Sequence, residues 1–201
     1  ACASDPSWVV LRSFKRMLTE PTVRPDHVVK VGSLRMPLID LLVTFLRSLH
    51  NDLRSQSSMQ AALHPLESIP VMIATPANAH GTQRFLTIDA FQKSGFQVLA
   101  LLNEPSAAGF EYAHRYRSTI TSKREHVVVY DLGGGTFDAS LVRMNGQNHD
   151  IVYTSGIPRL GGDDFDTVLA DLVLGEKGMM ELSESDPRRE RLVSVCREAK
   201  E

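Results

Sequence analysis

Apolar residues recur at two different spacings along this chain, and the two spacings predict helices and strands. Spacings of three and four residues predict helices over 5–18, 36–53, 80–94, 104–117, 163–174 and 187–201. Alternating or continuous apolar runs predict strands over 27–31, 69–75, 97–102, 126–131, 137–143 and 150–155. Because strands and helices alternate along much of the chain, we expect an α/β fold.

The predicted strands form two groups, separated by a polar stretch from Ser118 to Glu125 in which Ile120 is the only apolar residue. Each group predicts a mixed sheet with flanking helices. A turn at Asn145-Gly146 predicts a hairpin within the second group. We therefore expect two α/β lobes, one within residues 1–120 and the other within residues 121–201.

Composition narrows the class of protein. The formal net charge of -2 argues against a nucleic-acid surface. The two cysteines make no disulfide framework, which is typical of a reducing compartment. No apolar run reaches the roughly 18 residues that span a bilayer. We expect a soluble cytoplasmic protein, with no nucleic acid and no membrane among its partners. Because the chain begins without Met and without a leader, we also expect it to be a fragment.

The strongest local signal for chemistry follows the strand that ends at Asp131. Three glycines, Gly133, Gly134 and Gly135, come next, then Thr136, and the chain returns as a strand that carries Asp138. Glycines allow backbone N–H groups to crowd around an anion such as phosphate, while a carboxylate can hold Mg²⁺ or orient a water. The alternative is a tight hairpin in which the glycines only relieve strain. It is not a P-loop, because no Gly-Lys-Ser/Thr is present.

The string YDLGGGTFD at 130–138 resembles the second phosphate-binding loop of heat-shock protein 70 (DnaK-type) chaperones. NEPSAA at 103–108, LGGDDFD at 160–166 and FKRML at 14–18 resemble further segments of that family, in the same order. The resemblance implies an actin-like ATPase (ribonuclease-H-like) fold with two lobes, both incomplete here. A first phosphate loop would lie before residue 1 and an adenosine segment beyond residue 201, so we expect this fragment to be inactive alone.

The resemblance also implies roles for particular residues. The catalytic set around the γ-phosphate would be Lys15, Glu104, Asp131 and Thr136. Mg²⁺ would be held by Glu104 and Asp131, through water. ATP or ADP would contact Gly133, Gly134, Gly135, Gly161, Gly162 and Lys200. Without the resemblance, the lysines would be interpreted as surface residues, Glu104 as a helix cap, and the 161–162 pair as a helix-entry turn.

Four further positions bear on how nucleotide is sensed and held. Pro76 and Arg84 resemble residues that pass the nucleotide state to a substrate-binding domain. Arg197 stands where the family often has a glutamate that contacts ribose, and Glu201 replaces a usual basic residue. These last two departures bear on whether the protein binds adenosine through the contacts usual in the family.

The function implied is an ATP-hydrolysing chaperone domain that couples nucleotide state to client binding, folding and the stress response. Implied partners are client polypeptides, a J-domain protein and a nucleotide exchange factor. The alternative is a non-catalytic, actin-like scaffold that binds nucleotide weakly or not at all, favoured by Arg197 and Glu201. A sugar kinase ranks third, because no sugar-phosphorylating base is evident.

Overall fold

The computed structural model describes residues 9–63, 67–116, 125–145, 148–178, 182–183 and 186–201. Its strands are β1 (Val28–Val31), β2 (Leu34–Pro37), β3 (Ile69–Thr75), β4 (Phe96–Asn103), β5 (His126–Leu132), β6 (Phe137–Asn145) and β7 (Asn148–Ile157). Its α-helices are α1 (Leu38–Ser55), α2 (Gly81–Lys93), α3 (Glu104–Arg115), α4 (Gly162–Glu176) and α5 (Pro187–Lys200). Among the described residues, 3₁₀ segments cover Phe14–Thr19 and Gln60–Ala62.

The first half of the chain is built around a parallel pair of strands. β3 and β4 pair in parallel and are connected through α2, because parallel neighbours need a crossover. The buried stripe of α1 joins α2 and the strands in one apolar core, which includes Leu38, Leu46, Leu86 and Phe96. In this register Thr75 lies opposite Asn103, so both strands end at the same level.

The second half is an antiparallel meander. β6 pairs with β5 on one side and β7 on the other. Asp138 lies opposite Asp131 in β5 and opposite Gly156 in β7. α3 packs against this sheet, while α4 and α5 pack against each other. None of the helices in the described ranges combines the length and the apolar character that crossing a membrane requires.

Three expectations from the sequence were wrong. The described strands form three small sheets, β1-β2, β3-β4 and β5-β6-β7, rather than two mixed ones. Met36 and Pro37 belong to a strand, Leu34–Pro37, that was not predicted, rather than to the predicted helix over 36–53. Residues 9–13 are not helical, and Ser13 (φ 44°) adopts a left-handed conformation that interrupts the expected helix before the 3₁₀ segment.

Some predictions fall outside the described residues. The start of the first predicted helix, at residues 5–8, is one of them. The others are most of the polar link at 118–125 and Gly146 of the predicted hairpin turn.

Candidate functional site

Carboxylates from three elements line one cleft. Glu104 begins α3 directly after β4, Asp131 lies near the end of β5, and Asp138 faces Asp131 from β6. The wall is completed by residues from both halves of the chain: Pro76, Ala77, Pro105, Val129 and Ser140. The carboxyl end of the parallel pair thus meets the hairpin end of the meander, which concentrates negative charge in a small space.

A single lysine reaches into this charge. Lys15, from the 3₁₀ segment, forms an ion pair with Glu104. The Lys15 side chain is 51% exposed and that of Glu104 is 22% exposed, so the ammonium group can still contact a ligand. Two of the predicted catalytic residues, distant in sequence, therefore lie in direct contact.

Asp138 was missing from the predicted site residues. It is only 8% exposed. Burial raises its pKa above the usual value, the nearby charges of Glu104 and Asp131 raise it further, and Lys15 opposes them. The sequence did contain the signal, because a hairpin closed by residues 133–136 must place Asp131 and Asp138 opposite each other.

The glycine loop closes a hairpin between β5 and β6. Gly133 N–H donates to the Thr136 carbonyl at 3.0 Å. None of the three glycines has a positive φ, so they are not needed to adopt a left-handed turn. Gly135 is required for space instead, because a Cβ there would lie 2.8 Å from Nε of Arg16.

The second glycine pair packs on the first loop. Gly162 N–H donates to the Gly133 carbonyl at 3.0 Å, and Asp163 N–H donates to that of Gly134 at 2.8 Å. A Cβ on Gly161 would lie 2.5 Å from the carbonyl of Gly134. The two turns predicted to contact nucleotide are therefore brought together, although the Gly162 N–H is already bonded within the protein.

Lys200 and Arg197 meet a buried carboxylate at the start of α4. The side chain of Asp166 is 1% exposed and lies 2.7 Å from Lys200 Nζ and 2.7 Å from Arg197 Nε. Arg197 also pairs with Asp163, and Lys200 donates to the Gly162 carbonyl at 3.0 Å. Lys200 thus lies beside the second glycine turn with its charge largely compensated, and its nucleotide contact stays a prediction.

Arg84 connects the loop after β3 to the residue before Glu104. Its guanidinium donates to the carbonyls of Ala77 and Ala79, both at 3.0 Å, and to Oδ1 of Asn103 at 3.1 Å. The Pro76 carbonyl accepts a hydrogen bond from Ala79 N–H at 3.0 Å, so Pro76, which lines the carboxylate cleft, and Arg84 belong to one hydrogen-bonded unit beside the site.

The residues of the cleft fit a hydrated divalent cation better than a directly bound one. Within the described ranges, no three His, Cys, Asp or Glu side chains form a group that could hold a metal ion. Three carboxylates nevertheless line the cleft beside one lysine, and the pKa of Asp138 is raised first by burial and then by the charges of Glu104 and Asp131. Mg²⁺ that keeps most of its waters would suit this arrangement.

Comparison with known proteins decides the family. Residues 59–201 match the family model described as Hsp70 protein. The chain belongs to the Hsp70 family. The resemblance seen in the sequence is therefore confirmed. Hsp70 proteins have an actin-like ATPase fold, and the mixed α/β elements found here are consistent with part of it. The matched range includes Glu104, Asp131 and both glycine turns, whereas Lys15 lies before it.

Curated relatives carry chaperone names. A chaperone protein HscA homolog from Colwellia psychrerythraea is 36% identical over 173 residues, covering 86% of this chain and 26% of the relative. Chaperone protein HscA from Salmonella paratyphi B and from Salmonella newport are each 36% identical over 194 residues, covering 91% of this chain and 30% of the relative. The chain thus spans less than a third of the length of these relatives.

Proposed function

We propose that this chain forms part of the ATP-binding and ATP-hydrolysing domain of an Hsp70-family chaperone. The observation that carries the proposal is the ion pair between Lys15 and Glu104 beside Asp131 and Asp138. Such a cluster, next to a glycine loop, matches what phosphoryl transfer to water requires: positioned charge and little covalent chemistry.

Each residue has a distinct part in the proposed reaction. Lys15 stabilises the negative charge that develops on the γ-phosphate. Glu104, Asp131 and Asp138 bind hydrated Mg²⁺ and orient the attacking water, and the Thr136 hydroxyl holds a phosphate oxygen. Bound Mg²⁺ supplies neutralisation of phosphate charge.

The same geometry supports a route by which nucleotide state changes the protein. We propose that residues 1–120 and 121–201 belong to two lobes that close on ATP, since the cleft has walls from both. The Arg84 contacts would pass that closure to Pro76 and onward to a client-binding domain. Clients, a J-domain protein and a nucleotide exchange factor are the partners that this cycle needs, in the cytoplasm.

Replacing Lys15 tests the proposal. In the full-length protein, Lys15→Ala should lower the rate of ATP hydrolysis far more than the affinity for ATP, because the contact strengthens in the transition state. Single-turnover hydrolysis and calorimetric binding separate the two effects, with the exposed Lys30→Ala of β1 as the matched control. A hydrolysis rate within about threefold of the native rate, roughly 0.7 kcal/mol, would contradict the role.

The second candidate is a non-catalytic scaffold of the same family. It is favoured by Arg197, which stands where the family often has glutamate and is committed to Asp163 and Asp166. In that case the native full-length protein would bind ATP weakly or not at all, and would show no hydrolysis above the Lys15→Ala background.

A further inference from the structure

The carbonyl groups of the glycine loop are all bonded to donors outside the hairpin. In chain order, the carbonyls of residues 133–135 accept hydrogen bonds from Gly162 N–H at 3.0 Å, Asp163 N–H at 2.8 Å and Arg16 Nε–H at 2.7 Å. Each of these three consecutive peptide groups is thus held by one hydrogen-bond donor. Two of the partners are backbone groups of the second turn, and the third is a side chain.

Fixing a carbonyl also fixes the next N–H. In a trans peptide the oxygen and the following amide hydrogen point in opposite directions, and the described chain contains no cis peptide. The N–H groups of Gly134, Gly135 and Thr136 therefore point away from these donors. The described residues supply no hydrogen-bond partner to any of the three, which leaves them available to an anion.

Arg16 is itself held in place by a carboxylate. Nη1 donates to Oδ1 of Asp164 at 3.1 Å and Nη2 donates to Oδ2, a two-pronged contact that fixes the guanidinium plane. Burial alone would raise the pKa of Asp164, but hydrogen bonds from Arg16 and from Gly161 N–H outweigh it and lower that pKa. Arg16 can lie this close to Gly135 only because that residue has no Cβ, which would be 2.8 Å from Nε and 3.0 Å from Cγ of Arg16.

From these contacts we infer that Arg16 is a positioning residue for the phosphate loop. Together with Asp164 it orients the peptide between Gly135 and Thr136, so that the Thr136 N–H is presented to a phosphate oxygen of the nucleotide. Arg16 does not contact the ligand. The inference rests on the proposed function, because it assigns the fixed N–H groups to the nucleotide of that site.

The experiment compares Arg16→Met with Arg159→Met in the full-length protein. Both changes remove an arginine ion pair between residues 13–20 and residues 159–164, since Arg159 pairs with Glu20, but only Arg16 bonds a glycine carbonyl. Methionine keeps the apolar stem that covers Gly135. The readouts are the dissociation constant for Mg-ATP and the amide resonances of Gly134 and Thr136 under selective ¹⁵N labelling.

Arg16→Met should weaken Mg-ATP binding by about tenfold or more, or about 1.4 kcal/mol. The ATP-induced shift of the Thr136 amide should be lost, while that of Gly134, whose peptide is fixed by Gly162, should remain. Arg159→Met should change neither. If Arg16→Met does not fold, the same two measurements are made on Arg16→Lys, for which we expect a partial loss of Mg-ATP affinity and of the Thr136 amide shift.

Three results would overturn the inference, and they are distinguishable. An unchanged Thr136 shift and an unchanged dissociation constant in Arg16→Met would remove Arg16 from the positioning role while leaving the proposed function intact. Equal losses in both methionine variants would reduce Arg16 to general support of the segment. Absence of Mg-ATP binding by the native protein would instead overturn the proposed function, and this inference with it.

Discussion

At the scale of single residues, Asp138 carries an unfavourable charge. Its pKa is raised by burial and by Glu104 and Asp131, so the folded protein favours the protonated form more than the unfolded chain does. The resulting stabilisation is fully present below the usual aspartate pKa and is lost as the pH rises through the raised value. At neutral pH, ionised Asp138 therefore lowers the free energy of unfolding unless a cation compensates it.

Asp138→Asn should remove this penalty. Without Mg²⁺, we expect the variant to unfold at a higher urea concentration than the native chain at pH 7 and to show a smaller dependence on pH between 4 and 7. The variant should also lose any stabilisation by added Mg²⁺. Urea titrations with and without MgCl₂ measure both effects, with the exposed Asp150→Asn as control. Identical pH profiles for Asp138→Asn and the native chain would contradict the account.

The sequence predicted individual site residues where they sit at the ends of elements. Glu104 directly follows a strand, Asp131 lies at the end of a predicted strand, and Thr136 follows the glycines; the structure places the two carboxylates in one cleft, and the roles of all three stay predictions. The partners of Lys15 and Arg84 depend on elements far apart in sequence, so no local pattern could predict them. Arg16 was not predicted as a site residue, because an arginine beside a lysine is typical of a solvated helix face.

At the scale of elements, the two glycine turns form one packed unit. A Cβ at Gly161 would lie 2.5 Å from the backbone of Gly134, so the backbone itself would have to move. A Cβ at Gly134 would meet only side-chain atoms, the hydroxyl of Ser13 at 3.3 Å and the carboxylate of Asp163 at 4.0 Å. Substitution by alanine should therefore lower stability at Gly161 but leave the stability of the nucleotide-free protein nearly unchanged at Gly134.

We expect Gly161→Ala to lower the free energy of unfolding by roughly 1–3 kcal/mol, through overpacking. Gly134→Ala should leave the melting temperature of the nucleotide-free protein nearly unchanged. The increase in melting temperature that ATP causes should be mostly lost in this variant. Thermal melts of both variants in the full-length protein, with and without Mg-ATP, distinguish the two effects. A lowered nucleotide-free melting point in Gly134→Ala with an undiminished ATP effect would assign Gly134 to the fold.

Long amphipathic elements were predicted well from the sequence, and short ones were not. The apolar stripe of α1 and the buried run of β3 each carry a clear period, and the structure confirms both with shifts of at most two residues. The segment before Thr19 has helical spacing, yet Ser13 breaks it and only a 3₁₀ segment forms. Periodicity predicts which face is apolar, whereas the backbone at one residue decides how far a helix extends.

At the scale of the whole molecule, contacts at Asp163 connect the two ends of the described chain. Asp163 accepts a hydrogen bond from Ser13 near the start and pairs with Arg197 of α5 near the end. Arg197 also reaches the buried Asp166. This arrangement gives Arg197 a structural purpose in a position where the family often has the opposite charge.

Arg197→Glu should therefore damage this protein, although it would restore the usual family residue. A glutamate would face Asp163 and Asp166, leaving one buried carboxylate with reduced compensation. We expect a loss of roughly 3–5 kcal/mol in the free energy of unfolding, measured by urea denaturation. The neighbouring, exposed Glu198→Arg should change it by no more than about 0.5 kcal/mol. An unchanged midpoint for Arg197→Glu would show that the ion pairs contribute little.

The family was recognisable from the order of its motifs, but the assembly of the sheets was not. Strand pairing depends on residues that are distant in sequence, and nothing local shows that β1 and β2 pair only with each other among the described strands. The contact between α3 and the meander likewise follows from packing around Gly109, where a Cβ would lie 3.5 Å from Met144 and His149.

Gly156 illustrates how such packing would appear in a mutational scan. It lies opposite Asp138, and a Cβ there would overlap the Asp138 carboxylate and lie 2.6 Å from the Phe137 carbonyl. Every replacement would therefore displace a carboxylate of the cleft without removing any group that touches nucleotide. A screen for growth would score position 156 as intolerant, and a screen for abundance would detect part of the same loss, because the contact with the Phe137 carbonyl also strains the backbone. The gap between the two scores would be a genetic signature of the site, located on a strand with no chemistry of its own.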